Sequence, residues 1–170
     1  MRKIGAVSRE AIFRMRFPAI CFIMILMLAF PARADERIPQ AAARDKCPVC
    51  GMFVAKYPDW TMVLLFRDGT PVFFDGAKDM FKYLFDIKRY HPSRKAEDIR
   101  TALVKDYYRL TWIDARKAWY VIGSDIYGPM GRELIPLENQ KDAQEFMNDH
   151  KGKKILRYAE ITKEVIKTLD

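Results

Sequence analysis

Three sulfur donors lie within six residues of one another in the segment Cys47-Pro48-Val49-Cys50-Gly51-Met52. A thiolate and a thioether are soft ligands, and a Cys-x-x-Cys spacing puts two sulfurs within reach of one ion. Met52 adds a third sulfur on the same short loop. Gly51 lets the backbone turn tightly between them, and Pro48 stiffens the loop. The chemistry these residue types suggest is binding of a soft metal ion, with Cu(I) foremost in an oxidising compartment.

Three other uses of the pair compete. A structural zinc site needs four nitrogen or sulfur ligands, and here no second Cys-x-x-Cys exists and the two histidines, His91 and His150, are far apart in sequence. A thiol–disulfide oxidoreductase places its pair at the start of a helix, whereas residues 53–60 contain a proline and no helical stripe. A structural disulfide across two residues would close almost no loop and so would restrain the unfolded chain little.

Met130 is a further candidate. It stands in Gly128-Pro129-Met130-Gly131, a tight loop with no apolar periodicity, whereas Met62, Met80 and Met147 fit the ordinary use of methionine as core filler. His150 closes a helical stretch just before Lys151-Gly152. It reads either as a helix C-terminal residue favoured by the dipole or as an imidazole donor to copper. Asp75, just before a helix, reads as its N-cap. No nucleophile–base pair and no phosphate-binding glycine loop is present, so the chain reads as a binding protein and not an enzyme.

The N-terminus sets the compartment. Arg2, Lys3, Arg9, Arg14 and Arg16 precede an apolar run from Phe17 to Phe30, and Ala32-Arg33-Ala34 follows. This is the layout of a secretory signal peptide, with cleavage expected after Ala34 and the mature protein in the periplasm. The apolar run has 14 residues, short of the roughly 20 a spanning helix needs. Cys21 lies inside that run and reads as an ordinary apolar residue. No later segment is long enough to span a membrane.

The formal net charge is +8, but residues 1–34 carry six Lys/Arg and a single acid, so residues 35–170 retain +3. The signs are mixed along the mature chain, which argues against nucleic-acid binding. Half of the residues are hydrophobic and 31% are charged, a globular balance. The mature chain is long enough for a core without disulfides.

The elements that must position the sulfurs follow from periodicity. Residues 35–46 read as a flexible lead-in, and residues 47–170 as a single domain. Thr61–Arg67 is rich in β-formers, Asp68-Gly69 signals a hairpin, and Pro71–Phe74 resumes the strand. Met80, Phe81, Leu84 and Phe85 recur at helical spacing and predict a helix over 77–87. Residues 88–103 are charged and weakly patterned and read as a loop with a short helical piece. Strands are expected at 106–113, 118–122, 133–137 and 154–158, and helices at 141–149 and 161–169. A Gly-Met element followed by strand and helix occurs near 51–85 and again near 128–149, which suggests two related βα units. The fold class is α+β, with a mostly antiparallel sheet and packed helices.

Several landmarks in order resemble the NosL family, accessory factors for nitrous oxide reductase. They are Cys50-Gly51-Met52, Phe66, Asp68-Gly69, Phe73-Phe74-Asp75, Lys117–Val121 with Gly123-Ser124, Gly128-Pro129-Met130-Gly131, Pro136, Ala143, Phe146 and His150. The resemblance runs from about residue 46 to 162. It implies a Cu(I)-binding metallochaperone outside the cytoplasmic membrane, with a fold similar to part of the organomercurial lyase fold. Its partner would be a copper enzyme, such as nitrous oxide reductase, or that enzyme's membrane-associated assembly machinery. Carried over by position, the ligand candidates are Cys50, Met52 and Met130, with Cys47 and His150 as additions. The chain departs from the family in two places. Many members end the signal in a lipidated cysteine, and many carry His-Gly-Gly where this chain has His150-Lys151-Gly152. Small heavy-metal-binding domains also begin Cys-Pro-Val-Cys-Gly-Met, but they continue to a second cysteine pair, and Val72–Ala77 has none.

Overall fold

The chain is described by a computed structural model, which covers residues 38–170. The expected signal peptide lies outside the described residues. No described helix is long and apolar enough to cross a membrane.

Strand β1 (Met62–Phe66) is buried along its whole length because it lies inside a four-stranded antiparallel sheet ordered β2-β1-β3-β4. An interior strand covered on both faces reads as an unbroken apolar run and not as an alternation. The Asp68-Gly69 signal yields the β1–β2 hairpin: the Gly69 N–H donates to the Phe66 carbonyl at 3.0 Å, and Leu65 faces Pro71. β2 (Pro71–Phe74) is an edge strand, where a proline at the first position sacrifices no ladder bond. Helix α1 (Ala77–Phe85) follows, with Ala77, Met80 and Phe81 buried at helical spacing. It stops two residues earlier than expected, at Asp86, and a short helix α2 (Ile87–Tyr90) takes over.

Two sequence expectations fail here. The loop expected over 88–103 is strand from 99 on: β3 (Ile99–Lys105) is the longest strand among the described residues and pairs with both β1 and β4 (Trp112–Asp114). Its inward residues are small or modest, Ala102 and Val104, and Arg100, Thr101 and Lys105 dilute the pattern. Conversely, most of 106–113 is not strand. The fully buried carboxylate of Asp106 accepts from the N–H groups of Tyr108, Arg109 and Glu138, and this winds residues 106–110 into a turn. Leu110 sits there at φ 57°, in the left-handed region.

A second sheet, ordered β8-β5-β9, is also antiparallel. It consists of β5 (Trp119–Ile122), β8 (Ile135–Leu137) and β9 (Lys154–Arg157). Helix α3 (Gln140–Asp149) packs on it, and Val121, Ile135, Leu137, Ala143 and Phe146 form the core between them. Asn139 caps α3 by accepting from the Asp142 N–H at 2.9 Å. The last helix, α4 (Lys163–Lys167), is shorter than expected and is capped by Thr162.

The two sheets share one winding. β1-β2-α1-β3 and β5-β8-α3-β9 each run strand, strand, helix, strand, with the first strand in the middle. This repeat spans residues 62–105 and 119–157, and the Gly-Met echo near 51–85 and 128–149 does not mark equivalent points in it. The first Gly-Met precedes β1. The second lies inside its unit, in a small hairpin, β6 (Tyr127–Gly128) and β7 (Gly131–Arg132), inserted between β5 and β8. Phe81 of α1 packs edge-on against Tyr120 of β5, 5.5 Å between ring centres, and joins the two layers.

Candidate metal centre

The cysteine loop is closed at its base. Lys46 bridges Phe53, the Cys47 N–H donates to the Met52 carbonyl at 2.9 Å, and the Gly51 N–H returns to the Cys47 carbonyl at 2.9 Å. Gly51 has φ +80°, a conformation that costs a residue with a Cβ and costs glycine nothing. After the loop the chain makes two short 3-10 turns, Val54–Lys56 and Pro58–Trp60, and no α-helix starts at the cysteine pair.

The loop presses both thiols onto the start of α1. The Cys50 Sγ lies 3.2 and 3.4 Å from the two carboxylate oxygens of Asp75, and the Cys47 Sγ lies 3.4 Å from Asp79 Oδ2. One donor atom from each of Cys47, Cys50, Asp75 and Asp79 falls within 4.8 Å of the other three. Both cysteines are free thiols. Asp75 is not the helix cap expected from the sequence. Gly76 is the N-cap and α1 has no side-chain cap; the Asp75 carboxylate is turned to Cys50 instead. Asp79 sits in the first turn of α1, where the helix dipole favours a carboxylate.

Burial and charge act together on the thiols. Burial pushes Cys47 far above the usual thiol range, and the nearby charge of Asp79 adds to the rise against the opposing amides of Cys50 and Val49. Burial likewise pushes Cys50 up to about 12, with Asp79 and Asp75 adding to it and the Met52 amide opposing. The metal-free pair is therefore held protonated, each thiol beside an acceptor oxygen.

Burying a polar side chain is costly unless it is satisfied. Of the six buried polar or charged side chains among the described residues, four surround the start of α1: Asp75, Lys78, Asp79 and Glu133. Glu133 comes from the second unit. Its Oε1 accepts from the Lys78 and Leu134 N–H groups. Lys78 reaches back, its Nζ 3.0 Å from the Met130 carbonyl and 3.1 Å from that of Leu169.

The five sequence candidates fall on the cysteine loop, on the β6–β7 hairpin and at the end of α3. Cys47 and Cys50 form the pair, with Met52 half-buried at the end of their loop. Met130 is held by its backbone to Lys78, one residue before Asp79, and its residue is 43% exposed. Tyr127 on the same hairpin and Phe53 beyond the loop are also exposed. His150 belongs to a different cluster: its Nδ1 is 3.3 Å from Asp125 Oδ1 and its ring lies 4.4 Å from that of Phe146. His91 is engaged by the Tyr83 hydroxyl at 3.0 Å. A surface cavity of about 350 Å³ between α1, α2 and α4 is lined by Lys82, Arg89, Lys163 and Lys167 and touches none of the sulfur candidates.

Comparison with known proteins supplies the family. A sequence model of the family described as NosL matches residues 39–166. This chain belongs to the NosL family. A curated relative, the copper-binding lipoprotein NosL of Stutzerimonas stutzeri, is 29% identical over 125 residues. That match covers 69% of this chain and 62% of the relative's own length. The crystal structure of the copper chaperone NosL from Shewanella denitrificans superposes with a TM-score of 0.64 at 25% identity, covering 75% of this chain and 97% of that one. The solution structure of apo-NosL from Achromobacter cycloclastes gives a TM-score of 0.45 at 26% identity, over 62% and 87% of the two chains. The α+β class read from the sequence is that of the NosL fold.

Asp79, Lys78 and Glu133 were not singled out from the sequence. A weak signal existed: Asp75 and Asp79 are four apart across a predicted helix start, which puts both on one face. Nothing local marks Glu133, since its role depends on contact with another unit.

Proposed function

We propose that this chain is an exported Cu(I) carrier, released into the periplasm by cleavage after Ala34, that delivers copper to the assembly of a copper enzyme such as nitrous oxide reductase. The recipient would be that enzyme or its membrane-associated assembly machinery. The observation that supports the reading is a thiol pair resting on two buried carboxylates at the start of α1, the helix whose Lys78 also holds the Met130 carbonyl. The names of the relatives, a copper-binding lipoprotein and a copper chaperone, support the same cargo.

Cys50, Met52 and Met130 are the proposed ligands, with Cys47 as an added thiolate. His150 enters as an accessory imidazole: with Nδ1 at Asp125, its Nε2 is the nitrogen that would donate. Sulfur donors suit Cu(I) and disfavour hard cations. As the Cys50 sulfur bonds to Cu(I), its S–H bond breaks and the proton passes to Asp75, whose oxygen already lies 3.2 Å away. Metal capture is thereby coupled to proton release. Amides directed at both sulfurs would stabilise the thiolates once formed. Release is ligand exchange: an incoming sulfur displaces the weaker thioether bonds first.

A thiol–disulfide oxidoreductase needs a thiol pKa lowered at a helix N-terminus. Here both thiols are pushed up, which favours the carrier. The test is an oxygen-free transfer assay from Cu(I)-loaded protein to a chromophoric acceptor. A carrier transfers at a rate that rises with acceptor concentration. A rate independent of acceptor, set by spontaneous loss, would refute donation by exchange. Reduction of a protein disulfide by the apo-protein at neutral pH would favour the enzyme instead.

A further inference from the structure

We propose that Lys78 is a positioning residue that holds the Met130 hairpin against the cysteine loop, and that residues 169–170 complete its anchorage. This rests on Met130 as a copper ligand in the reading above.

The hairpin has only two residues in each strand, Tyr127–Gly128 and Gly131–Arg132. A two-stranded ribbon of that size is not stable by itself in water. Tyr127 is 61% exposed and Met130 43%, so neither large side chain is sunk into a core that would fix the turn. The orientation must come from elsewhere. Lys78 supplies it from both ends of the residue. Its backbone N–H donates to Glu133 Oε1, just past β7, and its Nζ donates to the carbonyl of Met130 itself. Two attachments three residues apart fix both the place and the tilt of the turn.

An ammonium has three donors. Lys78 donates to the Met130 and Leu169 carbonyls and forms an ion pair with Asp170 Oδ1 at 3.6 Å. Lys78 is only 3% exposed. Burying a charge is unfavourable, and an apolar residue of similar volume commonly does as well or better for stability alone. A buried lysine at this point is explained by the two carbonyls and the carboxylate it holds. Lys78 also lies directly before Asp79, so the group that grips the methionine hairpin and the carboxylate that faces Cys47 share one helical turn.

The test compares Lys78→Met, Met130→Leu and the double variant in the mature protein, with two readouts. The first is metal-free: the Met130 ε-methyl signal in protein labelled with ¹³C-methyl methionine. Lys78→Met is expected to move it toward the position of a free methionine. The second is Cu(I) affinity, expected to fall about ten- to a hundredfold, the usual effect of losing a partner that orients a ligand. In the Met130→Leu background the same substitution should have almost no further effect, because the sulfur being positioned is gone. An equal loss in both backgrounds would mean that Lys78 supports the fold and not Met130, and would overturn the proposal. An unmoved methyl signal would overturn it as well. Should Lys78→Met fail to fold, Glu133→Ala frees the other end of the hairpin and must move the same signal. If the signal moves as expected but the wild-type protein binds no Cu(I), the anchorage stands and the copper reading falls.

Discussion

Replacing Gly76 by alanine tests the joint between α1 and Glu133. Gly76 has φ −178°, an extended conformation open to any residue, so the substitution brings no backbone strain. It brings a collision: a Cβ at this position would lie 2.1 Å from Glu133 Oε2 and 2.9 Å from its Cδ. Glu133 is 3% exposed and has no room to swing into solvent without leaving its partners. The Lys78 and Leu134 N–H groups would lose their acceptor. A buried donor left unsatisfied costs about 1–3 kcal/mol. Alanine returns roughly 0.4–1 kcal/mol by restricting the unfolded chain. With two such donors the net expectation is a loss of about 1–5 kcal/mol. Urea denaturation with an unchanged m-value would measure it. The same substitution in a Glu133→Asp background, where the side chain is one methylene shorter, should cost less than half as much. A Gly76→Ala protein as stable as wild type would refute the claim that Glu133 is wedged against the helix start.

Three further outcomes follow from the site. Alkylation of Cys50 should climb about tenfold per pH unit through pH 10 without a plateau, because burial holds its thiol near 12, and only the thiolate reacts. Asp75→Asn should speed it by removing the neighbouring carboxylate, and mass spectrometry of labelled peptides would show a plateau near pH 8 if this is wrong. Burial raises the Glu133 carboxyl from 4.5 to about 8, against the Leu134 and Lys78 amides and the Lys78 charge and with Asp79 adding to the rise. The folded state therefore holds this proton more tightly than the unfolded one. Its contribution is full below about pH 4.5 and is lost as pH climbs toward 8, at up to about 1.4 kcal/mol per unit. Thermal melts should show wild type losing stability between pH 5 and 8 relative to Glu133→Gln, and parallel curves would contradict the assignment. His150→Gln should weaken Cu(I) less than Cys50→Ser does in a chelator competition, since the imidazole lies outside the Cys47–Cys50 cluster; a larger loss would make His150 a principal ligand.

The parts of this fold legible in the sequence are those whose signal is local. The Asp68-Gly69 turn, the apolar run of β1, the helical stripe through Met80 and Phe81 and the Cys-x-x-Cys loop each declare themselves within a few residues. β3 does not, because its inward side chains, Ala102 and Val104, are too small to stand out beside Arg100 and Lys105. The span 106–110 looks like a strand because Tyr107, Tyr108 and Leu110 are good β-formers, yet one buried carboxylate at Asp106 overrides them. The sulfur donors could be named from type and spacing. Their neighbours could not, because Asp75 and Asp79 gain their meaning from a loop some 25–32 residues away and Glu133 from a different unit.

The proposed function has the sulfur loop and the methionine hairpin together hold one Cu(I) ion. Its most direct test is an anaerobic titration of the purified mature protein with Cu(I) against a chromophoric chelator, repeated on Cys50→Ser and Met130→Leu. The account predicts one tightly held ion per chain in the wild type and weaker binding in both variants. A wild-type protein that takes no Cu(I) from the chelator would contradict it.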